Sequence, residues 1–335
     1  MPFLSASDGT SKSPGVRPVG TGRAWAKVIV LGEHAVVHGA PALALPVPQL
    51  TVTATARNMA QTRGGPDVFS FTPRGCAPRP PDVRSRRALR RMTSAFRTAT
   101  DVPKGRGVEV DVDCAIPVGR GLGSSAACAR AVVHALCDLF DRALTPRQVF
   151  DLVQVAERVT HGRASGVDAM AVGASAPLLF QAGRAHEPTI GWDGRLIVAD
   201  SGAAGRTKDA VDLLDESFRQ RPGSREAFVR KATTLTQAAL LALSQGRPEG
   251  LGEQLTAYHR LLRASGLSTE RTDGLVDAAL GAGSLGAKIT GGGLGGCVIA
   301  LVRREQAAQV TRRLLAAGAA RAWSVPLTRS AGHDR

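Results

Sequence analysis

Two charged residues stand in segments that are otherwise mostly small or apolar, and both residue types can serve proton or phosphoryl transfer. Asp168 is the lone carboxylate in "HGRASGVDAM" (161–170), where its neighbours are small, apolar or basic. Lys27 lies inside the apolar stretch "RAWAKVIVLG" (23–32), and a lysine in such a strand usually has a carboxylate partner. From the residues alone, Asp168 could be a helix N-cap, a metal ligand or a catalytic base.

A glycine-rich segment, "PVGRGLGSSAA" (117–127), directly precedes an apolar stretch with helical character. Its glycines permit backbone conformations in which successive N–H groups cradle a phosphate at a helix N-terminus. Ser124 and Ser125 add hydroxyls that can bind phosphate oxygens or ligate Mg²⁺. No lysine follows the glycines, so the segment is not the P-loop of nucleoside triphosphatases. A glycine-rich turn with a serine N-cap is the alternative.

Two further motifs flank this segment in the chain. In "GEHAVVHG" (32–39), Glu33 and His34 follow a glycine turn at the end of an apolar strand. In "KITGGGLGGC" (288–297), five of the six residues from 291 to 296 are glycines. This is more glycine than a hairpin needs, and it suits a loop that folds over the phosphates of a ligand. A structural histidine is the alternative for His34, and a glycine hairpin is the alternative for the last motif.

Hydrophobic periodicity and turn residues predict strands and helices that alternate in two halves, with a boundary near 183–194. Strands are expected at 23–32, 48–56, 107–117, 176–183, 194–202, 322–327 and, as two strands around a glycine turn, 286–302. Helices are expected after the glycines of 119–140 and at 84–97, 145–162 (with Thr145 as its N-cap), 206–219, 224–245, 249–265, 267–283 and 304–317. Residues 58–80, rich in Gly, Pro and Arg, are expected to form a loop.

Composition and charge limit the class of protein. Of 335 residues, 43% are hydrophobic and only 4% aromatic, so the core must be built from Ala, Val, Leu and Ile. The net charge of +15 owes much to the arginines of 79–97, a basic helix face that could attract nucleic acid or anionic lipid. A solvated helix face explains it more simply. With one tyrosine in the chain there is little to stack on bases, so no nucleic-acid partner is expected.

The cysteines and the N-terminal segment indicate the compartment. Five cysteines without a CxxC pair argue against a disulfide framework and a zinc site, and indicate reduced thiols in a cytoplasmic protein. Residues 1–20 are rich in Ser, Gly and Pro, lack the apolar core of a signal peptide and are expected to be a disordered tail. No apolar run approaches the ~20 residues that cross a bilayer, so no membrane association is expected.

The motifs, taken together and in this order, resemble the kinase superfamily of galactokinase, homoserine kinase, mevalonate kinase and phosphomevalonate kinase. "GEHAVVHG" is most similar to the mevalonate kinase branch, and "HGRASGVDAM" is similar to the stretch that carries its catalytic aspartate. The resemblance runs from about residue 21 to 327. It departs at Trp25-Ala26, where this superfamily usually has Pro-Gly before the lysine.

The resemblance implies an α+β fold with two domains and the active site in the cleft between them. Residues 21–185 would form an ATP-binding domain resembling domain 2 of ribosomal protein S5, and residues 190–328 a ferredoxin-like domain. Asp168 and Lys27 would be the catalytic pair. Substrate contacts would come from Glu33, His34 and Thr207. The ATP site would comprise Gly119, Gly121, Leu122, Gly123, Ser124, Ser125, Ala126, Gly292 and Gly293.

The resemblance also implies Mg²⁺ as cofactor, held by Ser125 and by Glu157, which precedes Asp168 by the spacing seen in the superfamily. The implied activity is ATP-dependent phosphorylation of the C5 hydroxyl of mevalonate, a step of isoprenoid biosynthesis. Another kinase of the superfamily, such as one acting on phosphomevalonate, and a non-catalytic binding protein on this fold are the alternatives. The sequence leaves the oligomeric state open, with a homodimer among the options.

Overall fold

The computed structural model describes residues 17–63, 65–103, 106–162 and 164–328, whose strands belong to two sheets. The strands are β1 (Gly20–Leu31), β2 (Ala42–Arg63), β3 (Val68–Pro73), β4 (Arg106–Cys114), β5 (Leu178–Gln181), β6 (Arg184–His186), β7 (Gly194–Asp200), β8 (Gly286–Thr290), β9 (Cys297–Val302) and β10 (Arg321–Leu327). The α-helices are α1 (Val83–Thr100), α2 (Ser124–Leu139), α3 (Pro146–His161), α4 (Val167–Ala171), α5 (Thr207–Gln220), α6 (Ser224–Ser244), α7 (Pro248–Ala264), α8 (Glu270–Gly281) and α9 (Ala307–Ala316). Among them, none is long and apolar enough to cross a membrane.

The first sheet has six strands in the order β3-β4-β2-β5-β6, with β1 also paired to β2. Only the β3–β4 pair is parallel. Helix α2 packs across β1 at close range: a Cβ at Gly22 would lie 2.1 Å from the carbonyl oxygen of Ala131. Glycine and the alanines of α2 therefore allow an approach that larger residues would block, as expected from the alanine-rich, aromatic-poor composition.

The pairing of β1 with β2 shifts register between Trp25 and Ala26, which pair with Thr51 and Val47. This bulge stands where the resembled superfamily has Pro-Gly. The indole Nε1 of Trp25 donates to the carbonyl of Ala174 at 2.7 Å, so the larger side chain is held near the end of α4. The bulge leaves Lys27 two residues further along β1, opposite Pro46.

The second sheet has four antiparallel strands in the order β10-β7-β9-β8. Helices α5 to α8 lie between β7 and β8 in the chain, and α9 lies between β9 and β10. The chain order is thus strand, helices, hairpin, helix and strand, and with the spatial strand order β10-β7-β9-β8 it forms the ferredoxin-like arrangement that the resemblance implied.

The prediction of a loop over 58–80 was wrong. Strand β2 continues to Arg63, and β3 pairs in parallel with β4 from Val68–Glu109 to Pro73–Cys114. Phe69 is buried while Val68 is exposed, so β3 covers only part of the core and its sequence pattern is weak. The glycines and prolines on either side of β3 end it after six residues and dominate the composition of the segment.

The start of the chain and one helix boundary can also be compared with expectation. Of the predicted tail at 1–20, residues 1–16 lie outside the described part. The backbone N–H of Arg17 donates to Leu139 at 2.9 Å, and its guanidinium pairs with Asp138. Thr145, predicted as the N-cap of α3, accepts from the backbone of Gln148 and completes a capping box, so that prediction is confirmed.

Candidate active site

Lys27 and Asp168 form an ion pair, with Nζ 3.0 Å from Oδ1. The lysine side chain is 3% exposed and the aspartate side chain 33%, so the cation is buried while part of the carboxylate is open to a ligand. Gly166 is the N-cap of α4, with φ +97°, and Asp168 is the second residue of that helix. Asp168 is therefore not the N-cap, and the predicted carboxylate partner of Lys27 is confirmed.

The first glycine loop, residues 119–123, is attached to the same lysine. The backbone N–H of Lys27 donates to the carbonyl of Leu122, and its Nζ donates to the carbonyl of Gly121; both distances are 3.0 Å. A Cβ at Gly123 would lie 3.0 Å from both Cε and Cγ of Lys27, so the loop and the lysine side chain are in tight contact. The buried cation is thus held between the loop and Asp168.

Helix α2 begins directly after this loop, with Gly123 as its N-cap at φ +73°. No side chain caps the helix, so the serine N-cap considered as an alternative is not present. The first N–H groups of Ser124, Ser125 and Ala126 have no partner within the helix by its geometry, and the macrodipole is positive there. Such an end is suited to a phosphate.

Ser125 points toward α3 and donates its hydroxyl to Oε1 of Glu157 at 2.7 Å. Burial raises the pKa of the Glu157 carboxyl; His161 opposes the rise and the nearby Asp168 carboxylate adds to it. A carboxylate desolvated beside a second carboxylate favours a cation. In the described part no three His, Cys, Asp or Glu side chains cluster as metal ligands. Ser125 and Glu157 fit Mg²⁺, which is commonly held by one or two side chains with phosphates and waters.

The second glycine loop, residues 291–296, packs against the first. A Cβ at Gly121 would lie 3.1 Å from the carbonyl oxygen of Thr290, and one at Gly291 would lie 2.9 Å from Cα of Gly121. The two loops that sequence patterns assigned to phosphate binding, 169 residues apart between Gly123 and Gly292, are thus neighbours. Their packing places the end of β8 beside the start of α2.

Thr207 is the first residue of α5 and lies on the second glycine loop. A Cβ at Gly292 would come within 2.2 Å of its Oγ1, so glycine is required for the contact. The preceding residue, Arg206, donates its backbone N–H to Gly293 at 3.2 Å. Thr207 is exposed at the edge of this loop.

His34 occupies a strained turn after β1. Its φ is +61° and ψ −40°, and the N–H of Ala35 donates to the carbonyl of Glu33 at 2.7 Å. A bond that spans three residues at a positive central φ is a γ-turn of the rare, strained kind. Burial lowers the pKa of His34 to about 4; a hydrogen bond to the Gly292 backbone opposes this shift, and the Lys288 cation adds to it. The imidazole is therefore neutral near pH 7, and its inaccessible Nε2 has no hydrogen-bond partner among the described residues.

Glu33 is paired inside the protein. It is 4% exposed, and its Oε1 bonds to Nζ of Lys288, which is fully buried. The phenol of Tyr258 donates to the Glu33 carbonyl at 2.9 Å. Burial raises the pKa of Glu33 and lowers that of Lys288, while their mutual attraction opposes both shifts.

Lys288 and Tyr258 were not among the predicted site residues. Lys288 opens the motif "KITGGGLGGC" and stands in a strand whose five residues are all buried, so it presents the same signal that identified Lys27. Tyr258 is the single tyrosine of the chain, on a helix with ordinary core periodicity, and no local pattern distinguishes it.

The Arg-rich face of α1 is a separate feature. Val83, Arg86, Arg87, Arg90 and Arg91 line an open depression of about 300 Å³. No residue of the ion pair or of the glycine loops lines it.

Two family models of known proteins match this chain, one in its N-terminal half and one in its C-terminal half. Residues 86–175 match the family model of the GHMP kinase N-terminal domain, and residues 238–320 match that of the GHMP kinase C-terminal domain. A mevalonate kinase of Thermococcus sibiricus is 30% identical over 308 residues, covering 88% of this chain and 92% of that protein. One of Pyrococcus horikoshii is 31% identical and covers 88% and 91%.

Solved structures of mevalonate kinases have the same fold as this chain. The L. major mevalonate kinase in complex with R-mevalonate superposes with a TM-score of 0.77 at 24% identity, covering 95% of this chain and all of that one. A mevalonate kinase from methicillin-resistant Staphylococcus aureus gives 0.68 at 25% identity, covering 92% and 98%. The expected two-domain α+β kinase fold is confirmed.

Proposed function

The chain belongs to the family of GHMP kinases, and on this premise we propose that it transfers the γ-phosphoryl group of ATP to the C5 hydroxyl of mevalonate. The product is 5-phosphomevalonate, which feeds isoprenoid biosynthesis. Relatives that share about 30% of its residues over 88% of its length are mevalonate kinases. The observation that carries the proposal is the Lys27–Asp168 ion pair beside the N-terminus of α2, in which the lysine is buried and the aspartate is partly exposed.

In the proposed mechanism, Asp168 accepts the proton of the C5 hydroxyl as its oxygen bonds to the γ-phosphorus and the bond to ADP breaks. The Lys27 cation pairs with this carboxylate and offsets negative charge as the transition state forms. Its hydrogen bond to Gly121 ties this pair to the loop that would hold the phosphates. Phosphoryl transfer depends largely on such positioning and charge, because the transition state needs little covalent help.

The ATP site of the proposal is the first glycine loop with the start of α2, covered by the second glycine loop. Backbone N–H groups at the helix end would bind the phosphates, and Ser125 and Glu157 would hold Mg²⁺. The bound ion would neutralise phosphate oxygens. The residues assigned to ATP are Gly119, Gly121, Leu122, Gly123, Ser124, Ser125, Ala126, Gly292 and Gly293.

The substrate site of the proposal lies at His34 and Thr207. Nε2 of the imidazole, which bonds to no described residue, is the atom we assign to substrate binding, and the hydroxyl of the exposed Thr207 can donate to the substrate carboxylate. We assign Glu33 to this site as well. Its side chain pairs with Lys288 and its carbonyl accepts from Tyr258, and both contacts hold the turn that carries His34.

We also propose residues 21–185 as the ATP-binding domain and 190–328 as the second domain, with a cytoplasmic location and no membrane or nucleic-acid partner. β6 ends at His186 and β7 begins at Gly194, which supports a boundary between them. A homodimer remains an option for the assembly.

The test is ADP release from purified protein with MgATP and one acceptor at a time: mevalonate, phosphomevalonate, homoserine or galactose. Turnover with mevalonate alone, with the phosphomonoester identified by mass spectrometry, is expected. Turnover with phosphomevalonate instead would keep the kinase fold and change the substrate. Absence of turnover with every acceptor would contradict the proposal and favour a binding protein.

A further inference from the structure

The first glycine loop has two side chains between its three glycines, and each is anchored. The loop reads Gly-Arg-Gly-Leu-Gly, and the glycines have φ of +72°, +75° and +73°. Leu122 is 1% exposed in the core formed with the first sheet. Arg120 reaches the other way: its Nε lies 3.1 Å from Oδ1 of Asp200, and its Nη2 donates to the carbonyl of Gly202 at 2.9 Å.

Asp200 is well placed to hold the arginine. It ends β7 in the centre of the second sheet, and its side chain is 6% exposed against 19% for Arg120. Its Oδ1 also accepts the backbone N–H of Gly202 at 2.9 Å. The ion pair is therefore built on a rigid strand end rather than on a surface loop.

Backbone contacts continue from the same place toward the proposed substrate site. The N–H of Gly205 donates to the carbonyl of Gly119 at 2.7 Å, and Thr207 follows two residues later at the start of α5. Gly296 donates to Ala203 at 2.9 Å, which brings the second glycine loop into the same set. Arg120 is the one charged side chain of the first glycine loop, and its guanidinium joins that loop to the second sheet.

We propose that Arg120 is a positioning residue, whose ion pair with Asp200 holds the first glycine loop in the conformation that accepts the ATP phosphates. Three glycines give the free loop large conformational freedom, and ordering it on binding costs free energy. A largely buried ion pair, whose guanidinium is also hydrogen-bonded to the Gly202 carbonyl, fixes the loop beforehand and removes part of that cost from ATP binding. The role of Arg120 rests on the proposed function, in which this loop binds ATP.

If Arg120 instead contacted a phosphate directly, the Asp200→Asn variant would change ATP affinity in the opposite direction. If the guanidinium bound ATP, neutralising its carboxylate partner would free it and tighten ATP binding. If Arg120 acts by holding the loop, loss of either partner weakens ATP binding alike. The response to Asp200→Asn therefore separates the two roles.

The experiment is titration of the full-length protein with a fluorescent N-methylanthraniloyl ATP analogue in Mg²⁺, for the wild type, Arg120→Met, Asp200→Asn and the double variant. Each single variant is expected to raise Kd about tenfold, and the double variant no further, as for two residues acting through one interaction. Arg120→Lys, which keeps the charge, should recover part of the affinity. In steady state, KM for ATP should rise more than KM for mevalonate.

Arg271→Met is the matched control. Arg271 also donates to this segment, at the carbonyls of Ser201 and Gly318, but it comes from α8 and does not touch the first glycine loop. It should lower the midpoint of thermal unfolding and leave Kd for the analogue unchanged. If Asp200→Asn does not fold, Asp200→Glu takes its place.

Tighter binding by Asp200→Asn, additive losses in the double variant, or an equal loss in Arg271→Met would overturn the positioning role. Unchanged affinity in Arg120→Met would overturn it too. Failure of the proposed ATP site looks different, because the wild type itself would then not bind the analogue, and a different substrate would show in the acceptor assay.

Discussion

Lys288 and Glu33, 255 residues apart in the sequence, form an ion pair in which both side chains are almost completely buried. The pair joins β8 of the second sheet to the turn after β1. Thr290 adds a second link there, since its Oγ1 donates to the carbonyl of Ile29 at 2.8 Å and accepts its N–H at 3.0 Å. Tyr258 of α7 also bonds to the Glu33 carbonyl, so the strained turn at His34 is held both from the second sheet and from α7.

Removing one partner of this pair should destabilise the protein strongly. Lys288→Met leaves the Glu33 carboxylate buried without its cation, and the free energy of unfolding should fall by about 3–5 kcal/mol. Glu33→Gln combined with Lys288→Met removes both charges and should recover part of the loss. Urea unfolding followed by circular dichroism measures both. Equal stability of the single variant and the wild type would contradict the burial of the pair.

His34 should make stability depend on pH. Its pKa is lowered from 6.5 to about 4 in the folded chain, so below pH 6.5 the unfolded chain binds a proton that the folded chain does not. As the pH is lowered from 6.5 to 4, this group should therefore reduce the free energy of unfolding by up to about 1.4 kcal/mol per pH unit. His34→Asn, whose side chain tolerates positive φ, should lose that contribution. Parallel curves for the two proteins over this range would refute the shift.

Gly123→Ala should displace Lys27. The new Cβ would lie 3.0 Å from two carbons of the lysine side chain at a backbone φ of +73°, so strain and contact act together. Gly75→Ala is the matched control, with φ +76° and nothing within 4 Å of its Cβ. Both should lose roughly 1–2 kcal/mol of stability from the left-handed conformation. Only Gly123→Ala should lower kcat, and a similar kcat for both would show that the lysine tolerates the methyl group.

Ser125→Ala should weaken the response to Mg²⁺. The hydroxyl and the Glu157 carboxylate are 2.7 Å apart, and the alanine removes one of the two proposed ligands. The Mg²⁺ concentration for half-maximal rate, at fixed free ATP, should rise by about tenfold, within the range seen when groups that support a metal are lost. Ser124→Ala serves as the control, with a smaller effect expected. The reverse order of the two would move the ligand to Ser124.

Features that depend on neighbouring residues could be predicted from the sequence. The N-cap at Thr145, the glycine loop before α2 and the apolar strand around Lys27 each depend on residues within a few positions of one another. Helix and strand boundaries near them agree closely with expectation, because hydrophobic period and capping act within one element.

Longer-range features were not readable in the same way. The partner of Lys288 lies 255 residues away, and nothing in either segment specifies the pairing. β3 was missed because an edge strand with one buried phenylalanine has little periodicity, and its pairing with β4 supplies what its own residues lack. The role of Arg120 likewise depends on Asp200, which only the fold brings near.

In the proposed mechanism, Asp168 takes part in phosphoryl transfer to the mevalonate hydroxyl. Asp168→Asn keeps the shape and a hydrogen bond near Lys27 but removes the carboxylate, and kcat with mevalonate and MgATP measures the effect. We expect kcat to fall by at least about a hundredfold, the contribution of a positioned proton acceptor, while binding of the fluorescent ATP analogue persists. A kcat within about threefold of the wild type would contradict the claim, because a general base cannot be lost at so small a cost.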